Sequence, residues 1–381
     1  MTRYWAKYNL HMDKNLTDIN NKLGGAILKK PRNSNLELYR IIVMLSIVAS
    51  HYVNNSGLMQ VLEQESLSAR SFYYYLFGAW GKVGINCFVL ITGYFMCRSQ
   101  ITLEKFLKLM LEVYFYRILI HVIFFATGYE PVTLKGLFLV VMPVSSVKTN
   151  FTSCFLLFFL SIPFLNILVR NMTKQQHLWL LCLFLGIYTG LGTLFGGKIR
   201  FNYVTWFCIL YFISSYIRLY KPLQNVRWGI ATVGAFFLSI ASIVAILYLS
   251  SMKGNHYPQY YFIMDSNKVL ALVLGVSLFM WFKDIKVQQS KLINRIAESC
   301  FGVLLIHAHS DTMRQWLWKD VLNVTGQYHS ENFILHSIVS VLGIYIVCTL
   351  IDQMRIMWIE RPLLKWLEHN QLLYKWLNRI K

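Results

Sequence analysis

The feature that most constrains this chain is a succession of apolar runs, each about 20 residues long, separated by short polar or basic breaks. A helix needs roughly 20 mainly apolar residues to cross the hydrocarbon core of a bilayer. Inside lipid the backbone polar groups must be satisfied within the segment itself, which a helix does and an irregular loop does not. Runs at 36–54, 78–97, 106–127, 151–169, 177–195, 203–220, 228–250, 265–283, 296–314 and 335–358 therefore predict an all-α integral membrane protein, a bundle of about ten transmembrane helices. The stretch 128–150 is apolar from Val132 to Val147, but Pro143 breaks it and Lys135 and Lys148 bound it, so it reads as an external or re-entrant loop.

Composition agrees. Hydrophobic residues make up 56% and charged residues only 14%, against about a quarter charged in soluble proteins. The net charge of +20 does not point to nucleic acid, because the basic residues sit in the breaks between apolar runs and form no separate basic domain. Placing the N-terminus inside puts roughly 25 of the 37 Lys and Arg residues on the cytoplasmic side, so both termini are expected in the cytoplasm. The expected organisation is a polar and basic lead-in at 1–33, a transmembrane domain at 34–360, and a basic amphipathic tail at 361–381. The tail carries Trp366, Leu367, Leu373 and Trp376 among lysines and arginines, a pattern suited to the inner lipid leaflet. The first 35 residues have no apolar core of a cleavable signal, so the first run is expected to be retained. Seven cysteines, an odd number with no C-x-x-C pair, read as small core residues outside any disulfide or metal framework.

Ionisable groups inside membrane spans are costly unless paired or wetted, which makes each a functional candidate. Arg40 and His51 share the first span and lie eleven residues apart. That is about three turns, or roughly 16 Å of rise, so both project from nearly the same face. An arginine near the inner leaflet can grip phosphates with its planar fork, and a histidine near the outer leaflet can move protons near neutral pH. The bland alternative is that Glu37 pairs with Arg40 and that His51 is merely interfacial. Lys82 in the second span is expected at the level of His51, with snorkelling as its alternative. In the ninth span His307 and Asp311 are four apart and are expected to share a face, with Arg314 following. Arg117 is expected to line a ligand channel or to pair with a carboxylate such as Glu112. Gly78, Gly81 and Gly84 lack the context of a phosphate loop and are expected to allow close helix packing. No zinc-binding helix motif or nucleophile elbow is present, so no metal site is expected.

These segments together resemble the membrane-bound acyltransferase-3 family, and in particular members that O-acetylate bacterial surface polysaccharides. The resemblance rests on Arg40 and His51 within Leu36-Glu37-Leu38-Tyr39-Arg40, on the run from Gly84-Ile85-Asn86 to Gly93-Tyr94-Phe95, and on Trp206-Phe207 followed by Tyr216-Ile217-Arg218. It continues through Leu305-Ile306-His307 and Leu317-Trp318-Lys319 to Ile359-Glu360-Arg361-Pro362, covering about residues 34–366. The resemblance implies transfer of an acyl group, usually acetyl, from cytosolic acetyl-CoA to a hydroxyl of a cell-surface polysaccharide or its lipid-linked precursor. It implies a multi-pass protein of the bacterial cell membrane, with His51 catalytic, Arg40 binding the donor and no bound cofactor. Where many members have an R-x-x-R element at the third span, this chain has Lys105 and Lys108, so the lysines are the expected helpers in donor binding. An aromatic pair common at the fourth span is reduced here to Asn150-Phe151. No hydrolase-like domain accompanies the bundle, which implies action alone or with separate glycan-assembly proteins. A transporter or flippase of a glycan or anionic substrate is the rival reading. It would also need intramembrane Arg, Lys and His, and would be favoured by inverted repeats with broken helices, which the sequence does not display.

Overall fold

The computed structural model describes residues 33–65, 67–144, 150–194, 202–253 and 258–370. The expectations for the lead-in, apart from Asn33, and for the tail beyond Asn370 fall outside them. Among the described residues every regular element is helical. In chain order these are α1 (Ser34–Asn54), α2 (Leu58–Gln64), α3 (Ala69–Gly78), α4 (Gly81–Met96), α5 (Leu103–Ala126), α6 (Leu134–Val141), α7 (Phe151–Asn171) and α8 (Lys174–Leu185). There follow α9 (Tyr203–Tyr220), α10 (Trp228–Lys253), α11 (Val269–Asp284), α12 (Lys291–Glu298), α13 (Cys300–His307), α14 (Asp311–Arg314), α15 (Phe333–Arg355) and α16 (Arg361–His369). Wider π-turns extend α8 over Gly186–Leu191, follow α14 over Gln315–Val321, and join α15 to α16 over Ile356–Glu360.

Six helical segments are long and apolar enough to cross a membrane: Ser34–Asn54, Ala69–Met96, Glu104–Ala126, Phe151–Asn171, Trp228–Lys253 and Phe333–Leu367. They carry lipid-type surface. Phe237, Leu238 and Ile230 on α10 and Leu335, Val339 and Leu350 on α15 are exposed large apolar side chains, which water would disfavour and lipid accommodates. The other four expected spans are helical but shorter, more polar or interrupted. The clearest case is α9, with four tyrosines, two serines and Arg218 in 18 residues. It lies deep in the protein, with Trp206, Phe207, Leu210 and Tyr211 fully buried, so its polar groups meet protein partners. The molecule is an all-helical, multi-pass membrane protein. The loop expected at 128–150 contains a helix of its own, α6, tied to α5 by Tyr114, whose hydroxyl donates to Val141 O at 2.9 Å.

The bundle is organised around α1, which packs on α3, α4, α12, α13 and α15. Three glycines set how closely α1 and the α3–α4 pair approach. A Cβ at Gly78 would fall 2.6 Å from Val53 Cβ, one at Gly84 would fall 2.8 Å from Ile47 Cγ1, and one at Gly81 would collide with Ser50. The expected packing role of these glycines is thus what the structure contains. Two further segments quoted above meet inside the core. The Trp206 indole donates to Asn86 Oδ1 at 2.9 Å, while Asn86 Nδ2 donates to Ser266 O and Ala271 O. Arg218 donates to the Tyr94 hydroxyl at 2.7 Å and stacks over its ring. Asn86 and Arg218 therefore lock α4 to α9 and to the start of α11. All seven cysteines are free, and five are buried.

Candidate functional site

His51 lies in the last turn of α1, where the glycine contacts bring α4 against Ser50. Its Nδ1 is 2.9 Å from Nε2 of His307, at the end of α13. His307 is fully buried, and its own Nδ1 is 2.6 Å from the carbonyl oxygen of Val303. A carbonyl can only accept, so His307 Nδ1 carries the proton and, in the neutral ring, Nε2 is left as an acceptor. His51 must then donate from Nδ1, which leaves its Nε2 bearing a free lone pair. One turn of backbone carbonyl thus fixes two tautomers in series. The turn that follows His51 is held as well: Tyr52 is fully buried, bonds His336 Nδ1 at 2.8 Å, and meets Trp318 edge-on.

His51 opens onto a cavity of about 320 Å³, at the lower end of the range for small-ligand sites. Its wall runs along α1 from Met44 to Asn54, takes in Asn55 just beyond it, and is completed by Lys82, Tyr203 and Arg314 among others. Lys82 donates to the Tyr203 hydroxyl at 2.6 Å and lies 3.8 Å from Asp265. Asn150 has two parts in the arrangement. Its Oδ1 accepts from Thr152 N–H at 2.8 Å, starting α7, and the residue also lines the cavity. Lys82 is thus placed beside His51, as its position in the second span implied.

Arg40 stands one turn below Met44, outside the wall of the cavity, and forms the expected one-turn pair with Glu37 at 3.2 Å. Its side chain keeps 27% exposure, so the guanidinium retains a route to a second partner. Helix α1 runs beside α13, with His51 on His307.

Several sequence expectations need correction. Asp311 does not share a face with His307. Helix α13 stops at His307, Ser310 accepts from Met313 N–H to start α14, and the Asp311 side chain is 95% exposed in a pair with Arg314. Lys105 and Lys108 each have partners of their own. Lys105 is exposed and reaches back to Ser99 and Gln100, whereas Lys108 bonds Glu360 at 2.5 Å. Glu112 pairs with Arg355 at 3.5 Å. Arg117 lines a small cavity with His309, which adjoins the main one through Asn150, Thr152 and Ala308.

The sequence reading missed a buried ionic network one layer further in. Arg355, 3% exposed, donates Nε to Asp352 at 2.8 Å and Nη1 to Glu360 at 2.7 Å, with Glu112 on its third nitrogen. Tyr116 donates to the same Asp352 oxygen at 2.8 Å. The Asp352 carboxyl packs on the bare backbone of Gly302, where a Cβ would collide with it. The network therefore seats α13 from below, five residues before His307. The signal for it was the acid–arginine spacing from Asp352 to Arg355, one turn apart and deep in an apolar run.

Comparison with curated proteins gives no match, and comparison with solved structures gives none either. The acyltransferase-domain model of the acyltransferase-3 family matches residues 33–353. That interval runs from the start of α1 nearly to the end of α15, and takes in the histidine pair and the whole cavity wall. The chain belongs to the acyltransferase-3 family.

Proposed function

We propose that this membrane acyltransferase is an O-acetyltransferase of the bacterial cell membrane. It moves an acetyl group from cytosolic acetyl-CoA to a hydroxyl of a surface polysaccharide or its lipid-linked precursor. The observation that carries the reading is the His51–His307 pair at the cavity, with its tautomers fixed by Val303 O. A free Nε2 lone pair on a histidine that lines a ligand-sized space is the arrangement a general base needs. Family membership supports acyl transfer over the rival transport reading.

In this reading His51 Nε2 takes the proton of the acceptor hydroxyl as its oxygen attacks the thioester carbonyl carbon. The tetrahedral intermediate collapses, the carbon–sulfur bond breaks, and the departing CoA thiolate takes the proton back from His51. His307 is a positioning residue that orients the ring. With both termini cytoplasmic and all ten segments spanning, Arg40 faces the donor side and grips CoA phosphates, and exposed Lys105 attracts them at longer range. Lys108, held by Glu360, belongs to the scaffold. The test compares the acetate content of surface glycan from cells carrying wild type, His51→Ala or Arg40→Ala. Loss of acetate is expected in both variants. Unchanged acetylation with both variants fully expressed would sink the reading.

A further inference from the structure

The charged groups on the cavity wall are of one sign. Lys82 and Arg314 line the space beside His51, and their charges act on its ring. Among the described residues no aspartate or glutamate lines it. The sequences of the undescribed segments 145–149, 195–201 and 254–257 contain none either. Each cation has a carboxylate neighbour, but a weak one. Asp265 is 3.8 Å from Lys82 and 38% exposed, and Asp311, on Arg314, is 95% exposed. Exposed pairs of this kind neutralise little, because water screens them. Two buried donors on the same wall, Arg314 Nε and Asn55 Nδ2, have no hydrogen-bond partner among the described residues. Buried donors without partners are costly and call for an acceptor.

We propose that the cavity takes an acceptor bearing an anionic group, a carboxylate or phosphate of the glycan, held by Lys82 and Arg314 while a neighbouring hydroxyl meets His51 Nε2. The proposal rests on the acyltransferase reading above and specifies its acceptor class. An arginine with a free Nε and a lysine with a partly satisfied ammonium suit oxyanions of either kind. A neutral sugar could accept from the orphaned donors but would bring no countercharge to the two cations.

The experiment uses membranes containing the full chain, acetyl-CoA labelled in the acetyl group, and surface-glycan fragments from cells lacking the protein. The fragments are supplied native, with carboxylates reduced to alcohols, or with phosphates removed. Wild type is expected to acetylate native fragments at least tenfold better than one of the two treated forms, and which form fails identifies the anion. Lys82→Gln and Arg314→Gln should raise the KM for native fragments about tenfold and erase the preference, with the KM for acetyl-CoA unchanged. Lys82→Arg should keep the preference. Equal use of all three fragments by wild type overturns the proposal while leaving the acyltransferase reading intact, and needs no variant to fold. A rise in the acetyl-CoA KM in the two Gln variants also overturns it, by assigning the cations to the donor. No label transfer to any fragment by wild type defeats the acyltransferase reading itself, and this proposal with it.

Discussion

Replacing His307 by alanine isolates what the second histidine does for the first. The change removes the acceptor 2.9 Å from His51 Nδ1 and frees the ring to rotate and to adopt the other tautomer. In a serine protease, leaving the catalytic histidine in the wrong tautomer costs about 10⁴ in kcat. There the orienting group is a carboxylate that also stabilises the imidazolium. Here it is a neutral imidazole backed by a carbonyl, so it supplies orientation and tautomer without that charge. The expected loss in His307→Ala is therefore smaller, about 10²–10³ in kcat, or about 2.7–4 kcal/mol of transition-state stabilisation. The KM for acetyl-CoA should stay within about twofold, since an interaction felt mainly in the transition state leaves ground-state binding alone. The assay is release of CoA thiol by protein purified in detergent, with the melting temperature followed in parallel. His307→Gln, whose amide oxygen can accept from His51 Nδ1–H, should recover at least about tenfold over alanine. An alanine variant that keeps half of the wild-type kcat with an unchanged melting temperature would refute the positioning role.

Other expectations follow from the scaffold. Arg355→Met leaves Asp352, Glu360 and Glu112 without their shared cation, and should cost about 3–5 kcal/mol, seen as a lower melting temperature and poor yield. Gly81→Ala should destabilise by about 1–3 kcal/mol through overpacking against Ser50. It should also lower activity, because Lys82 moves with α4. Adding Ser50→Gly to it should restore much of both, and failure of that rescue would show that the α1–α4 contact is not the cause. Asp311→Asn should change kcat/KM less than about twofold, since its side chain is almost wholly in solvent. A tenfold loss would put Asp311 in the site after all.

What the sequence made legible was whatever local spacing controls. The apolar runs give the helices, and glycines at 78, 81 and 84, spaced every three residues, announce a close contact. The Glu37–Arg40 pair is likewise a one-turn relation within a single helix. Pairings across the bundle were not legible. His51 and His307 are 256 residues apart, and only the parallel packing of α1 on α13 brings their rings together. The network on Arg355 escaped notice because its members come from α5, α15 and the π-turn after α15, whose register against one another no single segment encodes. Asp311 was misplaced for a different reason. The apolar pattern runs through 296–314 as if it were one helix, but Ser310 supplies a side-chain cap that starts a new one, and a serine just before an acid is a helix-start signal that periodicity hides.

The carbonyl of Val303 has a consequence for where a proton on the histidine pair can go. Two histidines in series inside a membrane are the beginnings of a proton wire, and a carboxylate or a water chain behind them would complete it. A peptide carbonyl accepts a hydrogen bond but has no proton to exchange, so the series ends in a blind terminus at His307. Along this hydrogen-bonded series a proton on His51 has no onward step through Val303 O.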